Sequence, residues 1–269
     1  MATYVIGDTH GCLDQVVGLL RRLGLIDERL SWSGGTSGLW FLGDYTDRGP
    51  DGAGVIELVM RLQREAPGAG GLVGALLGNH DLLVLNAFQF PFTAVPGFLH
   101  SGQSLTFREL WLERAGGQER DAERLNSTHL EWLAGLPVLA LLDQTLLMHA
   151  DSTFYLEYGW SVELVNARFC ALLEGSDVTA RDRLEEAFAR RREFLPGWQG
   201  EDAALQNLHR VLATYGADRL VHGHTPVYTL LERPAGEITE AWVYQDGRCV
   251  DVDACLYAGG PGFAFVIGD

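Results

Sequence analysis

Six short apolar runs constrain what this chain can fold into. They are Tyr4–Gly7, Leu39–Gly43, Val73–Gly78, Val138–Leu142, Leu146–His149 and Leu220–His222. Each stops at or just before a glycine or a polar residue, which is the pattern of a buried strand. Between the first three lie helical spacings. Leu13, Val16, Val17 and Leu20 repeat at i, i+3, i+4 and i+7, with Gly24 placed as a C-terminal stop. Val55, Leu58, Val59 and Leu62 repeat the spacing and run out near Pro67. The first part of the chain therefore reads strand–helix–strand–helix–strand. Helical crossovers between strands predict a mainly parallel sheet in an α/β fold.

The middle is less regular. A helix is expected from about Asp81, broken by Pro91, Pro96 and Gly97. Thr128-His129-Leu130-Glu131 has the form of a capping box before a short helix that Pro137 ends. Val138 to His149 reads as a hairpin turned at Asp143-Gln144, and residues 161–216 read as mostly helical. The charge runs Arg181–Arg183 and Arg190–Arg192 there are expected to be solvated helix faces. Ala241–Ile267 returns to strands, with a turn at Asp246-Gly247. No repeat or linker divides the chain, so one domain over residues 1–269 is expected.

Composition narrows the function. With 36 acidic against 20 basic residues, the chain carries no basic stripe for nucleic acid, and a nucleic-acid partner is not expected. A phosphate substrate would be repelled unless bound cations inverted the local field. No apolar run approaches a membrane span, so no membrane partner is expected. No early apolar stretch has the flanks of a signal peptide. The four cysteines, Cys12, Cys170, Cys249 and Cys255, form no CxxC pair, and a reducing cytoplasm is the expected compartment.

The polar residues at the strand ends form the informative pattern. The first strand delivers Asp8 and His10, the second Asp44, Asp47 and Arg48, the third Asn79, His80 and Asp81. Later strands deliver His149, and His222 with His224. In a parallel α/β sheet such ends lie along one rim, where ligands bind. Any one of these clusters alone would be an ordinary turn or a hydrogen-bonded histidine, the reading kept for His100, His129 and His209. Five together point to a shared metal site. Carboxylate, imidazole and amide donors without thiolate suit Mn or Fe as well as Zn.

IGDTHG, LGDYTDRG, LLGNHD, MHAD and HGHTP together resemble the calcineurin-like metallophosphoesterases. The full GDYTDRG narrows the resemblance to the PPP branch of Ser/Thr protein phosphatases and bacterial relatives. MATYVIGDTHGCLD and GNHDLL are also similar to symmetrical diadenosine tetraphosphatases, and CVDVDACLYAGG to the closing strand segment of both groups. The resemblance implies a central β-sandwich flanked by helices, in α-β-β-α layers. It implies two divalent or mixed-valence metal ions, with Mn as first choice and Fe or Zn as alternatives. One ion would be held by Asp8, His10 and Asp44, the other by Asp44, Asn79, His149 and His224. A hydroxide bridging the two metals would attack phosphorus in line. Arg48 would grip phosphate oxygens, and His80, oriented by Asp47, would protonate the leaving group. A second phosphate-binding arginine is expected in this branch, and Arg190 is the candidate. Asp81 is given a further role in holding Arg48.

Departures from the pattern bear on substrate. GHTP puts Pro226 where the wider group has a ligand histidine, which favours the PPP branch. His222, two residues before His224 and so on the same face of a strand, reads as support for the ligands or as a substitute ligand. Asp151 replaces the usual glycine after His149-Ala150 and would put an extra carboxylate on the substrate side. The expected activity is hydrolysis of a phosphomonoester, as phosphopeptide, phosphoprotein or small ester. The alternatives are a dinucleoside polyphosphate hydrolase and a non-catalytic phosphate-binding homologue. Residues 85–135 carry no motif.

Overall fold

A computed structural model describes residues 2–100 and 102–268, without the side chains of Leu99 and His100, so the reading of His100 lies outside it. The first five elements follow the sequence closely. They are β1 (Thr3–Ile6), α1 (Leu13–Arg22), β2 (Gly38–Phe41), α2 (Gly52–Glu65) and β3 (Leu72–Ala75). The helix α1 buries Val16, Leu19 and Leu20, one apolar stripe of the expected spacing. Asp51 caps α2, its carboxylate accepting from Gly54 N at 2.9 Å. α3 (Asn79–Gln89) starts two residues before Asp81.

The next segment departs from expectation. Pro96 and Gly97 do not merely interrupt a helix. They lie inside β4 (Ala94–His100), which pairs antiparallel with β5 (Gln103–Thr106) through a register shift between Ala94 and Leu99. That irregularity accommodates a proline in an isolated two-stranded ribbon. α4 (Phe107–Glu109) then runs into a π-helical turn over Leu110–Arg114. α5 (Glu119–Arg124) and α6 (Ser127–Ala134) follow. The cap of α6 is Asn126, not Thr128: Asn126 Oδ1 accepts from Thr128 N at 3.0 Å. Three residues on, His129 Nδ1 accepts from Asn126 N at 3.3 Å, which closes a capping box two residues earlier than the one read from the sequence.

β6 (Leu139–Leu142) and β7 (Thr145–Met148) form the expected hairpin. α7 (Val162–Glu174), α8 (Val178–Phe188), α9 (Pro196–Gln199) and α10 (Glu201–Tyr215) make up the helical stretch. β8 (Arg219–His222), α11 (Val227–Leu231), β9 (Trp242–Tyr244), β10 (Cys249–Asp251) and β11 (Phe265–Ile267) complete the order.

These strands make two larger sheets. One orders β11-β1-β2-β3 and the other β6-β7-β8-β10-β9. In each, the central pairs are parallel and the outer partners β11, β6 and β9 are antiparallel. The strand ends that carry the polar motifs therefore belong to two sheets, not to one rim. Buried side chains from both sheets, among them Val5, Phe41, Leu147 and Val221, belong to one apolar core cluster. Leu77 N donates to Pro137 O at 2.9 Å, tying the chain just past β3 to the chain just before β6. The mixed α/β architecture, with sheets flanked by helices, matches the expected class.

Candidate active site

Each polar motif begins where its strand stops, and the backbone there is unusual. His10 (φ 40°), Asp44 (φ 54°), Asp47 (φ 72°), Arg48 (φ 64°) and His224 (φ 68°) are all left-handed. Such residues typically cost about 1–3 kcal/mol each and persist only where their surroundings hold them. Glycines let the segments approach. A Cβ on Gly223 would fall on Asp8 Oδ1, and one on Gly78 on Asp44 Oδ1. His224 sits beyond the end of β8, so it does not share a strand face with His222, contrary to the sequence reading.

The histidines are oriented by main-chain carbonyls, which can only accept. His10 Nδ1 donates to Thr46 O at 3.0 Å and His149 Nδ1 to Leu42 O at 2.9 Å. His224 Nε2 donates to Ala189 O at 3.3 Å. Each ring then keeps one lone-pair nitrogen, as a metal-ligating histidine requires. His10 Nε2 is buried with no hydrogen-bond partner, 3.5 Å from Asp44 Oδ2 and 3.8 Å from Asp8 Oδ2. His149 Nε2 lies 3.0 Å from Asn79 Oδ1 and 3.4 Å from Asp44 Oδ1. The donor atoms of Asp44, His149 and His224 lie within 4.8 Å of one another, as do those of His10, Asp44 and His80. Asp44 is common to both groups.

His80 and His222 have both ring nitrogens engaged. His80 Nδ1 donates to Asp47 Oδ2 at 2.6 Å, and His80 Nε2 lies 3.0 Å from Arg48 Nη2. In the first group Asp8 is therefore a better third donor than His80. His222 Nδ1 donates to Gly223 O at 2.9 Å and Nε2 accepts from Tyr244 Oη at 2.8 Å, so it offers no free nitrogen.

The electrostatics fit a cation site. Burial pushes Asp8 well above the usual carboxylate range, and the neighbouring Asp253 adds to it. Burial, then Asp8 and Asp81, do the same to Asp44. Burial holds His10 and His224 well below the ordinary imidazole value and pushes His149 down to about 3. Carboxylates that resist ionising beside imidazoles that resist protonation form a donor set that divalent cations would satisfy. The orphaned His10 Nε2 supports the same fit.

Three expectations change. Arg190 is not at the site: its Nη1 pairs with Glu157 Oε1 at 2.8 Å on the exposed surface. α8 ends at Phe188, and helical spacing no longer governs which way the next residues face. The neighbouring residue Arg191 is close enough that its charge lowers Asp8 and Asp253 and disfavours protonation of His80, His149 and His224. Asp81 does not hold Arg48. It accepts from the backbone N–H of Asp44 at 2.9 Å, Tyr45 at 2.9 Å and Gly78 at 2.8 Å. Asp151 is fully buried, accepting from Thr225 Oγ1 at 2.6 Å and Arg192 N at 2.7 Å, so it does not face substrate. Trp111, whose Nε1 donates to Asp47 Oδ1 at 2.6 Å, was not foreseen.

Comparison with known proteins agrees with this geometry. Residues 1–228 match the calcineurin-like phosphoesterase family. A symmetrical bis(5'-nucleosyl)-tetraphosphatase of Salmonella arizonae is 40% identical over 88 residues, 33% of this chain and 26% of that protein. The one from Citrobacter koseri is 39% identical over the same length. The aligned stretch thus spans about a quarter of these relatives. Among solved structures, the cold-active protein-tyrosine phosphatase of a psychrophilic Shewanella superposes with a TM-score of 0.71 at 20% identity, covering 100% of this chain and 75% of that one. A putative diadenosine tetraphosphatase gives 0.51 at 18% identity, covering 99% and 92%. With the ends of β1, β2, β3, β7 and β8 bringing His10, Asp44, His80, His149 and His224 together, the chain belongs to the calcineurin-like phosphoesterase family.

Proposed function

We propose that this protein is a metal-dependent phosphomonoesterase of the PPP type. The observation that carries the reading is the Asp47–His80–Arg48 cluster beside the two donor groups that share Asp44. Asp8, His10 and Asp44 would hold one ion, and Asp44, Asn79, His149 and His224 the other, with Mn as first choice and Fe or Zn as alternatives. Bound there, two divalent cations supply charge stabilisation and an activated water for attack on phosphorus.

The chain's own residues do the rest. Arg48 lies across the Tyr257 ring, its Cζ 4.5 Å from the centroid, and its guanidinium donates toward His80 Nε2. A phosphate drawing that guanidinium onto its oxygens by paired hydrogen bonds frees Nε2. Nε2, freed from Arg48, takes up a proton from water and passes it to the departing alkoxide, while Asp47 keeps Nδ1–H in place. Arg191, in place of Arg190, is the second cation for the phosphate. Four unpaired cysteines are compatible with a reducing cytoplasm.

Phosphoserine, phosphothreonine or a similar small ester is the favoured substrate. A cavity of about 420 Å³ opens beside Asn79 and Ala189, with Leu83, Val95 and Phe98 on one side and Asp182, Glu185 and Glu186 on the other. Such walls suit an apolar or cationic leaving group better than a polyphosphate. The second reading, a dinucleoside polyphosphate hydrolase, is favoured by the tetraphosphatase relatives over their 88 residues. A non-catalytic role is disfavoured because every donor position is filled.

Hydrolysis of p-nitrophenyl phosphate should require Mn²⁺ and collapse in Asp44→Asn by at least about 10²-fold, more than loss of a ligand's supporting partner produces. Retained turnover in Asp44→Asn rejects the proposal. Two ADP per diadenosine tetraphosphate, with no phosphopeptide turnover, selects the second reading.

A further inference from the structure

The motif-free stretch holds a buried contact to the site that has no role yet. π-Helical turns are rare and frequent at functional sites. Trp111 sits in one, over Leu110–Arg114, and is fully buried. Its indole N–H, a donor only, meets Asp47 Oδ1 at 2.6 Å, while Asp47 Oδ2 takes the His80 Nδ1 proton at 2.6 Å. Thr46 Oγ1 adds a 3.1 Å bond to Oδ1. Both oxygens of the carboxylate are thereby pinned, and its plane is set by a residue 64 positions away.

The same segment fastens the next residue. Gly116 O accepts from Arg48 N at 2.7 Å. Asp47 and Arg48 are consecutive left-handed residues, and residues 111–116 hold one by its side chain and the other by its backbone. Gly117 N donates to Trp111 O at 3.0 Å, and a Cβ on Gly117 would lie 2.7 Å from the indole. Phe88 packs on Trp111 with centroids 5.7 Å apart.

We propose that Trp111 is a positioning residue for the reaction: by locking Asp47 it holds His80 aimed at the leaving oxygen. The inference rests on the reading of His80 as general acid. A buried indole N–H needs some partner. Here the partner is the carboxylate that orients the acid, and a role in catalysis makes a prediction that packing alone does not.

Two variants test it: Trp111→Phe, and replacement of Trp111 by benzothienylalanine, which keeps the bicyclic shape and lacks only the N–H. Phenyl phosphate has a poor leaving group that needs a proton; p-nitrophenyl phosphate does not. The expected result is a fall in kcat on phenyl phosphate of about 10- to 100-fold, with kcat on p-nitrophenyl phosphate within about threefold and KM unchanged on both. Asp47→Ala with Trp111→Phe should lose no more than Asp47→Ala alone. Thermal unfolding and manganese stoichiometry serve as folding controls, and the benzothienyl variant decides if Trp111→Phe unfolds. Equal losses on both esters, no loss on either, or additive losses in the double variant overturn the inference. His80→Asn separates the two levels. If it shows no leaving-group dependence, the acid assignment itself is wrong. If it does and the Trp111 variants do not, only the role of Trp111 is lost.

Discussion

The two sheets contribute to the site in different ways. The ends of β1, β2 and β3 carry carboxylates and His80, with the backbone forced into the left-handed region at His10, Asp44, Asp47 and Arg48. The second sheet contributes His149 and His224, of which only His224 is left-handed. Each half also buries a carboxylate whose hydrogen bonds brace the surrounding chain. Asp81 gathers three backbone N–H groups around Asp44, whereas Asp151 ties the loop after β7 to Thr225 and Arg192. Strain in the first half is thus held locally by a side chain of its own α3. The second half is held by contacts between distant loops. Chemical groups that must meet at one point need not be braced in the same way.

The largest effect should come from removing one proposed metal ligand per half. His10→Gln and His149→Gln are each expected to lose at least about 10²-fold in kcat/KM, above the cost of losing a ligand's supporting partner. Elemental analysis should find about one manganese fewer per chain in each variant. If either variant loses both ions, the two ions do not load separately and the comparison fails.

A smaller effect separates the two braces. In Asp81→Asn one of three backbone N–H groups faces an NH₂ and is left without an acceptor, which predicts a loss of about 1–3 kcal/mol in urea unfolding. In Asp151→Asn the amide can still accept from Arg192 N and donate to the Thr225 hydroxyl, so about 1 kcal/mol or less is expected. Equal losses would mean that the braces are alike.

The smallest effect provides a reference outside both rims. Glu185 on α8 accepts from Asn86 Nδ2 at 2.6 Å, and burial raises its pKa to about 7. The folded chain therefore binds this proton more tightly than the unfolded one. Between the ordinary glutamate value and about pH 7 the folded state holds more protons, so stability falls as pH rises through that window and then levels. Glu185→Gln should flatten that fall by on the order of 1 kcal/mol, allowing for partial exposure, measured by urea unfolding at pH 5 and 7.5. An unchanged slope would assign the pH dependence to the rims instead.

What could be read in advance follows the same division. Asp8, His10, Asp44, Asn79, His149 and His224 stood out only as a set: one polar residue ending an apolar run is an ordinary turn or a hydrogen-bonded histidine, but five strand ends carrying metal-donor types have few purely structural uses. The three parallel strands followed from the helices between them. Arg190 and Arg191 stand in one run of three arginines, and spacing does not tell which of them turns toward the site once α8 has ended at Phe188. The role of Asp81 was misread because spacing shows where a carboxylate is, not which N–H groups it meets. Trp111 gave no signal at all. Its partner lies 64 residues away, and a tryptophan in an apolar stretch looks like core. The β4–β5 ribbon was hidden by Pro96 and Gly97, residues that ordinarily punctuate strands rather than lie within them.

The hydrogen bonds that fix the tautomers of His10 and His149 end on the carbonyls of Thr46 and Leu42. Every amino acid carries that carbonyl. Replacing the side chain at 42 or 46 cannot delete the acceptor, so sequence drift at these two positions leaves the ring nitrogens addressed as before. The arrangement is insulated from point mutation in a way that the Trp111–Asp47 contact, built from two side chains, is not.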